Sequence, residues 1–495
     1  MPARDIPAPA SPLFDASSTT PPVLARGSDV PLSEQLSNHF AQRIRTRLMA
    51  PGARLPSVRE CARRHGVSPH TVVAAYDQLL ARGLVEARRQ RGFYVREQAG
   101  AAARAPAPAA SRTAPPRLVP VDATALIRGM FHPNSELPAP GLGTLPPDWL
   151  DLPLLSSALR RAALHADGGI AVQYGDPSGD PRLRQALCTR LADLGVRAAP
   201  GQIITAGGAT HALDIVARTL LQPGDAVLVD EPGWAVEFAR LTQLGMRLLP
   251  VPRTADGPDL QVMRALATTH KPRLYCTVSV LHNPTGATLS LAAAHQVLML
   301  AKEHDLRIVE DDTYAWMAPP QAPRLAALDG LQRTIYVSGF SKILTPSWRV
   351  GYVAAPADLV DRIVDVKLLA GLTTPTVLER AVAICLEQGQ LHRHAERVCA
   401  RLAQARTRCV QLAQQAGLHF ATPPAGLFGW LDTGVDTERL AQHMLDAGWL
   451  LAPGHLFHVE RRPSTLMRIN FASSQDPKFW RALGKARGAL MPKSP

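Results

Sequence analysis

The chain has 495 residues, of which 46% are hydrophobic and 19% are charged. This length suits two or three domains with buried cores, and no apolar run approaches the ~18 residues that a membrane-spanning helix requires. The N-terminal sequence lacks the apolar stretch of a secretory signal, which favours a cytoplasmic protein. The six cysteines form no CxxC pair or Cys/His cluster, so neither disulfides nor structural zinc are expected. The net charge of +13 favours a polyanionic partner.

Two segments rich in proline and alanine divide the chain. Residues 1–28 and 98–125 lack hydrophobic periodicity and are predicted to be a disordered tail and a linker. They separate a small block at 29–97 from a large unit at 126–495. The small block contains twelve arginines, no lysine and six acidic residues, a net charge of +6. Almost half of the excess positive charge therefore belongs to this block.

The small block has the pattern of a winged helix-turn-helix, which is mainly α-helical with a β-wing. An apolar residue at every fourth position predicts the first helix, through Leu32, Leu36, Phe40, Ile44 and Leu48. A capping box at 57–60 predicts the second helix, and Ser68 followed by Pro69 predicts the third. Short strands at 84–87 and 93–95, joined by a basic turn, complete the pattern.

In such a domain the third helix enters the major groove of DNA, and the wing lies on the phosphates or in the minor groove. The residues expected to face double-stranded operator DNA are Arg54, Arg59, Ser68, His70, Thr71, Arg88, Arg89 and Arg91. A helical protein-interaction domain with a solvated arginine face is the alternative, but it does not explain the order of caps and turns. The block resembles the GntR-type DNA-binding domain at 52–59, 66–68, 83–85 and 92–95. The resemblance implies that Arg59 and the start of the third helix contact DNA.

The large unit has the pattern of an α/β domain. Short apolar runs at 203–205, 226–229, 273–278, 307–309, 334–337 and 350–354 alternate with helical stretches, which predicts a mostly parallel sheet. Polar residues follow these runs directly, at the sheet edge where ligands bind in such folds. The Gly-rich turn 206–210 opens a helix, so its backbone N–H groups could hold a phosphate.

The polar residues after the strands form one chemical set. They comprise an aromatic plate, an amide, a carboxylate, a phenol and an amine, at Trp234, Asn283, Asp311, Tyr314 and Lys342. Each is ordinary alone, since a lone tryptophan more often belongs to a core and a Gly-rich turn is more often a plain connection. Together with a phosphate cradle, they supply what pyridoxal 5′-phosphate requires.

Residues 126–490 resemble the fold-type I aminotransferases, and the whole chain resembles the MocR-type regulators of the GntR superfamily. The resemblance implies a mostly parallel sheet and a smaller C-terminal α/β subdomain. It implies that Lys342 holds the cofactor as a Schiff base and that Asp311 pairs with the pyridine nitrogen. Asn283 and Tyr314 would bind the phenolic oxygen, and Trp234 would stack on the ring. The residues implied to hold the phosphate are Gly208, Ala209, Thr210, Ser341, Arg349 and, from the neighbouring subunit, Tyr174. Arg468 would bind the α-carboxylate of an amino acid.

One position departs from the aminotransferase pattern. Gly339 stands three residues before Lys342, where these enzymes usually carry a phosphate-binding serine or threonine, and either Ser338 or Ser341 could compensate. Elsewhere, His392 and His394 lie in an arginine-rich helical stretch and are predicted to form a solvated face, so no metal site is expected.

The resemblance implies a pyridoxal phosphate-dependent transcription regulator that binds DNA as a head-to-tail homodimer. Its large domain would sense pyridoxal phosphate, or an amine or amino acid that reacts with it, with at most residual transaminase activity. One alternative is an active aminotransferase with a DNA-binding domain attached, for which sustained turnover above ~1 s⁻¹ is expected. Another is a regulator whose large domain no longer binds the cofactor.

Overall fold

The computed structural model describes residues 24–25, 27–45, 49, 54–88, 92–96, 139–164 and 173–491. The predicted linker at 98–125 and most of the predicted tail at 1–28 lie outside these residues. The end of the tail that is described contacts the first helix, where the backbone N–H of Ala25 donates to Oε1 of Gln35 at 2.9 Å.

The small block folds as three helices and a two-stranded hairpin. Their bounds are α1 Leu32–Arg45, α2 Val58–His65, α3 Pro69–Ala81, β1 Val85–Arg88 and β2 Gly92–Val95. Ser57 and Ser68 cap α2 and α3, and α2 ends at Gly66, whose φ of 63° a residue with a side chain rarely adopts. Phe40 and Tyr76 are fully buried between the helices. The predicted winged helix-turn-helix is confirmed.

A seven-stranded sheet forms the centre of the large unit, in the order β3-β9-β8-β7-β6-β4-β5. Its strands are β3 Ile203–Ala206, β4 Ala226–Glu231, β5 Arg247–Pro252, β6 Leu274–Thr277, β7 Arg307–Asp311, β8 Thr334–Gly339 and β9 Gly351–Ala354. Strands β4 to β8 pair in parallel, whereas β9 pairs antiparallel with both β3 and β8. The mostly parallel sheet is therefore confirmed.

Helices cover both faces of this sheet. They are α4 Leu152–Leu164, α5 Pro181–Asp193, α6 Ala209–Leu220, α7 Ala235–Gln243, α8 Leu260–His270, α9 Leu291–Glu303, α10 Leu325–Asp329, α11 Val360–Gly371 and α12 Thr376–Glu387. One apolar cluster packs α6 and α7 against the sheet, and another packs α8 and α9. The strands are consequently buried on both sides, which accounts for their continuous apolar sequence.

A smaller subdomain follows the long helix α13 Gln390–Gln415. Its antiparallel sheet has the order β10-β11-β13-β12. The remaining elements are β10 His419–Phe420, β11 Phe428–Asp432, α14 Thr437–Asp446, β12 Ala452–Pro453, β13 Leu466–Asn470 and α15 Pro477–Leu490. In the part of the chain that the structure describes, no helix is long and apolar enough to span a membrane.

The prediction that both histidines of α13 are exposed to solvent is wrong for His394. His392 is exposed, as expected, but His394 is only 3% exposed and its Nε2 lies 2.9 Å from the carbonyl oxygen of Ile343. The arginine-rich sequence conceals this buried face of α13, which contacts the backbone of Ile343. The described residues contain no group of three His, Cys, Asp or Glu side chains that could hold a metal ion.

Candidate functional site

The predicted DNA-contacting residues of the helices lie on the open side of the small block. Arg59 and His70 are exposed. Ser68 accepts a hydrogen bond from the backbone N–H of Thr71 at 3.1 Å, and the two hydroxyl oxygens are 2.8 Å apart. Ser68 and Thr71 therefore fix the first turn of α3, the turn that carries His70.

The predicted wing residues have individual partners. The guanidinium of Arg54 packs against Gly92, where an added Cβ would lie 3.3 Å from Nε, so Arg54 supports the base of the wing. The guanidinium of Arg88 lies 4.6 Å from the centre of the Tyr94 ring and 2.7 Å from Glu86. Arg89 and Arg91 lie outside the described residues.

Lys342 lies just beyond β8 and is partly buried. Its Nζ donates a hydrogen bond to the carbonyl oxygen of Gly143 at 2.7 Å. Burial lowers the pKa of this amine to about 8, with a further contribution from the positive charge of Arg468, whereas Asp311 opposes the shift. A lysine in these surroundings has a larger neutral, nucleophilic fraction at neutral pH than an exposed one.

Asp311 ends β7 and shares a cavity with the predicted aromatic plate. This cavity is lined by Trp234, Glu237, Val278 and Asp311. Oδ1 of Asp311 accepts hydrogen bonds from the backbone N–H and the hydroxyl of Thr313, the former at 3.0 Å. Burial raises the pKa of Asp311 to about 6, and the nearby charge of Glu237 acts in the same direction. A cationic ring nitrogen placed against this carboxylate would restore its ionised form.

Asn283, Tyr314 and Arg468 meet at the opposite side of the site. Nη1 of Arg468 donates to Oδ1 of Asn283 at 2.8 Å, and the Tyr314 hydroxyl interacts with the same amide. The Arg468 guanidinium lies 4.5 Å from the centre of the Phe428 ring. Arg468 is only 7% exposed, burial lowers its pKa to about 10, and its Nε has no hydrogen-bond partner among the described residues. A buried cation with an unpaired donor is suited to a carboxylate ligand.

A short segment before α4 contacts both Lys342 and Arg468. Gly141 accepts a hydrogen bond from Nη2 of Arg468 at 2.6 Å, two residues before the Gly143 carbonyl that binds Lys342. The side chain of Asn470 donates to the carbonyl oxygens of Leu142 and Thr144, both at 2.8 Å. The side chains of Lys342 and Arg468 therefore contact the same short stretch of backbone. They are close enough for one small amino acid to reach both.

The residues predicted to form a phosphate cradle come together at the start of α6. Gly208 precedes the helix with a φ of 90°, which leaves the N–H groups of Ala209 and Thr210 in its first turn. Arg349 donates to the carbonyl oxygen of Gly207 at 3.0 Å and to the hydroxyl of Ser341 at 3.2 Å. The helix terminus, a guanidinium and a hydroxyl thus converge, as an anion site requires.

The packing around this cradle is close at position 339, where the chain carries glycine. An added Cβ on Gly339 would lie 3.3 Å from the carbonyl oxygen of Val350 and 3.4 Å from the backbone nitrogen of Ala209. Such spacing leaves little room for a side chain there. Ser338 points away from the cradle, since its hydroxyl donates to the carbonyl oxygen of Asp312 at 2.8 Å. Of the two serines considered as substitutes, Ser341 is the one beside Arg349.

Tyr174 is the one predicted cofactor contact that the chain does not bring to its own site. Its side chain is 81% exposed, on the loop before α5. The prediction that it reaches the phosphate of a neighbouring subunit stays a prediction.

Sequence reasoning missed several polar groups that support the site. Asp230, at the end of β4, accepts hydrogen bonds from the hydroxyls of Tyr275 and Thr277 and from Arg253, at 2.6, 2.7 and 2.7 Å. Glu237 is buried three residues beyond Trp234, and that helical spacing was the available signal. His211 escaped notice because nothing in its sequence indicates that its Nδ1 accepts the N–H of Gly207 at 3.0 Å.

Pyridoxal 5′-phosphate fits this donor set. The cradle suits the phosphate, the cavity beside Trp234 suits a flat ring, and Asp311 suits the ring nitrogen. Asn283 and Tyr314 suit the phenolic oxygen, and the Lys342 amine suits the aldehyde. The unpaired Nε of Arg468 remains for a further group, on the side of Lys342.

Comparison with known proteins agrees with both halves of the chain. Residues 146–485 match the family described as aminotransferase class I and II, and residues 32–95 match the bacterial regulatory proteins of the gntR family. The probable rhizopine catabolism regulatory protein MocR of Rhizobium meliloti is 32% identical, over 76% of this chain and 76% of that protein. The chain belongs to the MocR-type regulators.

Two further matches bear on the fold of this MocR-type chain. The HTH-type transcriptional regulator YisV of Bacillus subtilis is 26% identical over 91% of this chain and 95% of its own length. The structure of the α-aminoadipate aminotransferase LysN from Thermus thermophilus, complexed with N-(5′-phosphopyridoxyl)-L-leucine, aligns with a TM-score of 0.67. It is 26% identical and covers 74% of this chain and 94% of that structure. The predicted union of a GntR-type domain with an aminotransferase-like domain is confirmed.

Proposed function

We propose that this MocR-type chain is a pyridoxal phosphate-dependent, DNA-binding transcription regulator whose effector is the cofactor itself or an amino acid. The observation that carries the proposal is the convergence of Lys342 and Arg468 on the segment from Gly141 to Gly143. An amine-reactive centre and a carboxylate-binding guanidinium at this spacing suit one small molecule with both groups. Similarity to the MocR of R. meliloti and to YisV supports the regulatory role.

Each residue has a defined part in recognising such an effector. When bound, pyridoxal phosphate supplies a carbonyl group that forms Schiff bases with amines. Lys342 offers the competing amine, and its lowered pKa allows it to lose and regain a proton near neutral pH. Asp311 holds the ring nitrogen in its protonated form, while Tyr314 and Asn283 orient the ring through its oxygen. Arg468 selects molecules that carry a carboxylate.

The active aminotransferase remains the second candidate, because the side chains expected for transamination are present. The two functions differ in turnover. A sensor incubated with pyridoxal phosphate and amino acids releases keto acid slowly or not at all, whereas an enzyme sustains more than ~1 turnover per second. Measuring how many molecules of keto acid each protein molecule releases over time decides between the two functions.

We propose that the regulator acts as a head-to-tail homodimer on operator DNA in the cytoplasm. The exposed Tyr174 is suited to complete the phosphate site of a second subunit. Large apolar side chains on α4 and α11 are also exposed, among them Leu164 at 81% and Leu369 at 90%. Surfaces of this kind are commonly buried on association.

The cofactor assignment is tested by Lys342→Ala in the full chain. Wild-type protein incubated with pyridoxal phosphate is expected to show a protein-bound visible band. Borohydride should abolish this band, because it reduces the C=N bond to a secondary amine and leaves the pyridoxyl group covalently attached. The variant should lose both the band and the covalent label, because Lys342 supplies the amine of the site. Lys302→Ala, on the outer helix α9, is the control and should behave as wild type. A variant that kept the borohydride-fixed label would contradict the assignment.

A further inference from the structure

The helix α3, which a winged helix-turn-helix places in the major groove, contains no lysine or arginine. The structure describes all of its residues, Pro69–Ala81, and the one acidic residue among them is Asp77. Phosphates attract basic side chains and repel carboxylates, so α3 gains little from the DNA backbone. Its useful contacts with DNA are therefore those made to the edges of the bases.

The basic side chains that can contact phosphates lie on the neighbouring helix α2. Arg59 and Arg63, one turn apart, are both exposed and form the outer side of α2. Arg64 of the same helix is engaged within the protein, since its Nη1 lies 2.5 Å from Oδ2 of Asp446, the last residue of α14. Oδ1 of this carboxylate lies 2.5 Å from Nη1 of Arg43. The outer side of α2 is thus suited to position the domain on the DNA backbone while α3 faces the bases.

The two faces of α3 differ in burial. The inner face packs in the core of the small block through Val72, Ala75, Tyr76 and Leu79. The outer face exposes, at the helical spacing of three and then four residues, His70, Val73 and Asp77. This outer face is the surface that α3 offers to DNA.

Val73 is the apolar residue at the centre of this outer face. Its side chain is 40% exposed, whereas that of Val72 beside it is fully buried. A single exposed valine on an ordinary surface needs no explanation, but this one stands where the helix would meet the bases. Valine can neither donate nor accept a hydrogen bond. The apolar group that a base edge presents in the major groove is the 5-methyl group of thymine.

Two other residues of α3 carry a methyl group near this face, Thr71 and Ala74. Both are half-buried. The hydroxyl oxygen of Thr71 lies 2.8 Å from that of Ser68, and its backbone N–H donates to the same serine oxygen at 3.1 Å. Thr71 is therefore held in the first turn of the helix, which leaves Val73 as the apolar side chain directed outward.

The residues on either side of Val73 indicate which part of α3 approaches the bases. Asp77, one turn further along the helix, carries a carboxylate that phosphates would repel. His70, one turn earlier, can form hydrogen bonds with a base edge. The N-terminal half of α3 is therefore the part suited to the groove. Side chains three residues apart on a helix are about 5–6 Å apart, and successive base pairs are about 3.4 Å apart, so His70 and Val73 would reach base pairs one or two steps apart.

We propose that Val73 is a specificity-determining residue of the DNA-binding domain and that it packs on the 5-methyl group of a thymine in the major groove. The inference rests on the proposed function, since it requires sequence-specific binding to operator DNA. It adds that each half-site of the operator contains a thymine one or two base pairs from the pair that His70 faces. Because the contact is made to the methyl group, it distinguishes thymine from uracil, which pairs identically but lacks that group.

Selection from a pool of duplexes with a randomised central region tests this inference. Full-length wild-type protein incubated with pyridoxal phosphate selects sequences, which are then synthesised with each thymine in turn replaced by uracil. Uracil at one position in each half-site should weaken binding about threefold to fivefold per half-site, the effect of burying one methyl group. Val73→Ala should bind the thymine and uracil duplexes about equally, because its shorter side chain no longer reaches the methyl group. Fluorescence anisotropy measures each affinity.

Met299→Ala is the control variant, since it shortens another exposed apolar side chain, on the outer helix α9, and should keep the wild-type preference for thymine. Two levels of failure are distinguishable. If wild-type protein selects no sequence from the pool, the proposed function itself is wrong. If sequences are selected but uracil binds as well as thymine at every position, or if Val73→Ala keeps the wild-type preference, the assignment of Val73 is overturned.

Discussion

At the scale of single residues, the protonation of Lys342 should govern how fast the cofactor is captured. Only the neutral amine attacks an aldehyde, and burial together with the charge of Arg468 lowers the pKa of Lys342 to about 8. The neutral fraction rises as pH increases through that value, so the rate of capture should rise with a midpoint near pH 8. Stopped-flow absorbance at constant ionic strength measures the profile.

The same experiment on Arg468→Met should move the midpoint to higher pH, because the variant lacks a positive charge that disfavours the ammonium form of Lys342. Arg307→Met removes an arginine from an exposed ion pair distant from the site and serves as the control. A midpoint near ~10.4, the ordinary value for lysine, in the wild-type protein would contradict the influence of burial.

At the scale of elements, the phosphate cradle depends on close packing of β9 against the start of α6. An added Cβ on Gly351 would lie 2.5 Å from the carbonyl carbon of Gly208 and 2.6 Å from the backbone nitrogen of Ala209. Gly351→Ala should therefore push the helix terminus out of place, at a cost of about 1–3 kcal/mol in the free energy of unfolding. Because the cradle moves, affinity for pyridoxal phosphate should fall as well.

Gly484→Ala is the matched control, since its added Cβ would meet no described residue outside its own helix turn within 4 Å and the residue is inside the helix α15. Alanine in a helix should be neutral or stabilising there. Thermal unfolding with and without pyridoxal phosphate measures both quantities. Equal behaviour of the two variants would show that the contact between β9 and α6 does not shape the cradle.

The elements also show which parts of the fold the sequence could predict. Strands β4, β6, β7 and β8 are buried on both faces, so their apolar runs and the polar residues after them were visible. Strand β5 was missed because Arg247–Pro252 contains two prolines, which are tolerated only because β5 lies at the sheet edge. The antiparallel direction of β9 could not be predicted for another reason. The direction of a strand depends on how the chain connects it to its neighbours, and the amino-acid composition of the strand does not indicate it.

The candidate site was predictable where a residue type alone carries the chemistry, as with Lys342, Asp311 and Arg468. The parts of the site in which backbone atoms make the contacts were not predictable. The carbonyl oxygens of Gly141 and Gly143 bind both cations, yet any residue has a carbonyl group. His394 and Asp446 were missed for a related reason, because their partners lie in distant parts of the chain.

At the scale of the whole molecule, the positive charge of the winged helix serves two purposes. Arg43 and Arg64 neutralise Asp446 inside the protein, whereas Arg59 and Arg63 remain exposed. The net charge of +6 on residues 29–97 is therefore larger than the positive charge that this domain presents to DNA. The arginines available to phosphates are those on the outer side of α2 and, by prediction, in the wing.

The salt dependence of DNA binding distinguishes these two sets of arginines. Each phosphate contact contributes about 0.9 to the slope of log K against log salt on duplex DNA. Replacing Arg59 and Arg89 by alanine should weaken binding to a mixed-sequence duplex and lower the slope by about 2. Arg264→Ala with Arg333→Ala changes the net charge equally, but both residues form exposed ion pairs in the large unit, so the slope should stay at its wild-type value. Fluorescence anisotropy over a range of salt concentrations measures all three proteins. Equal slopes in the two double variants would mean that net charge alone, and not the outer side of the winged helix, attracts the DNA.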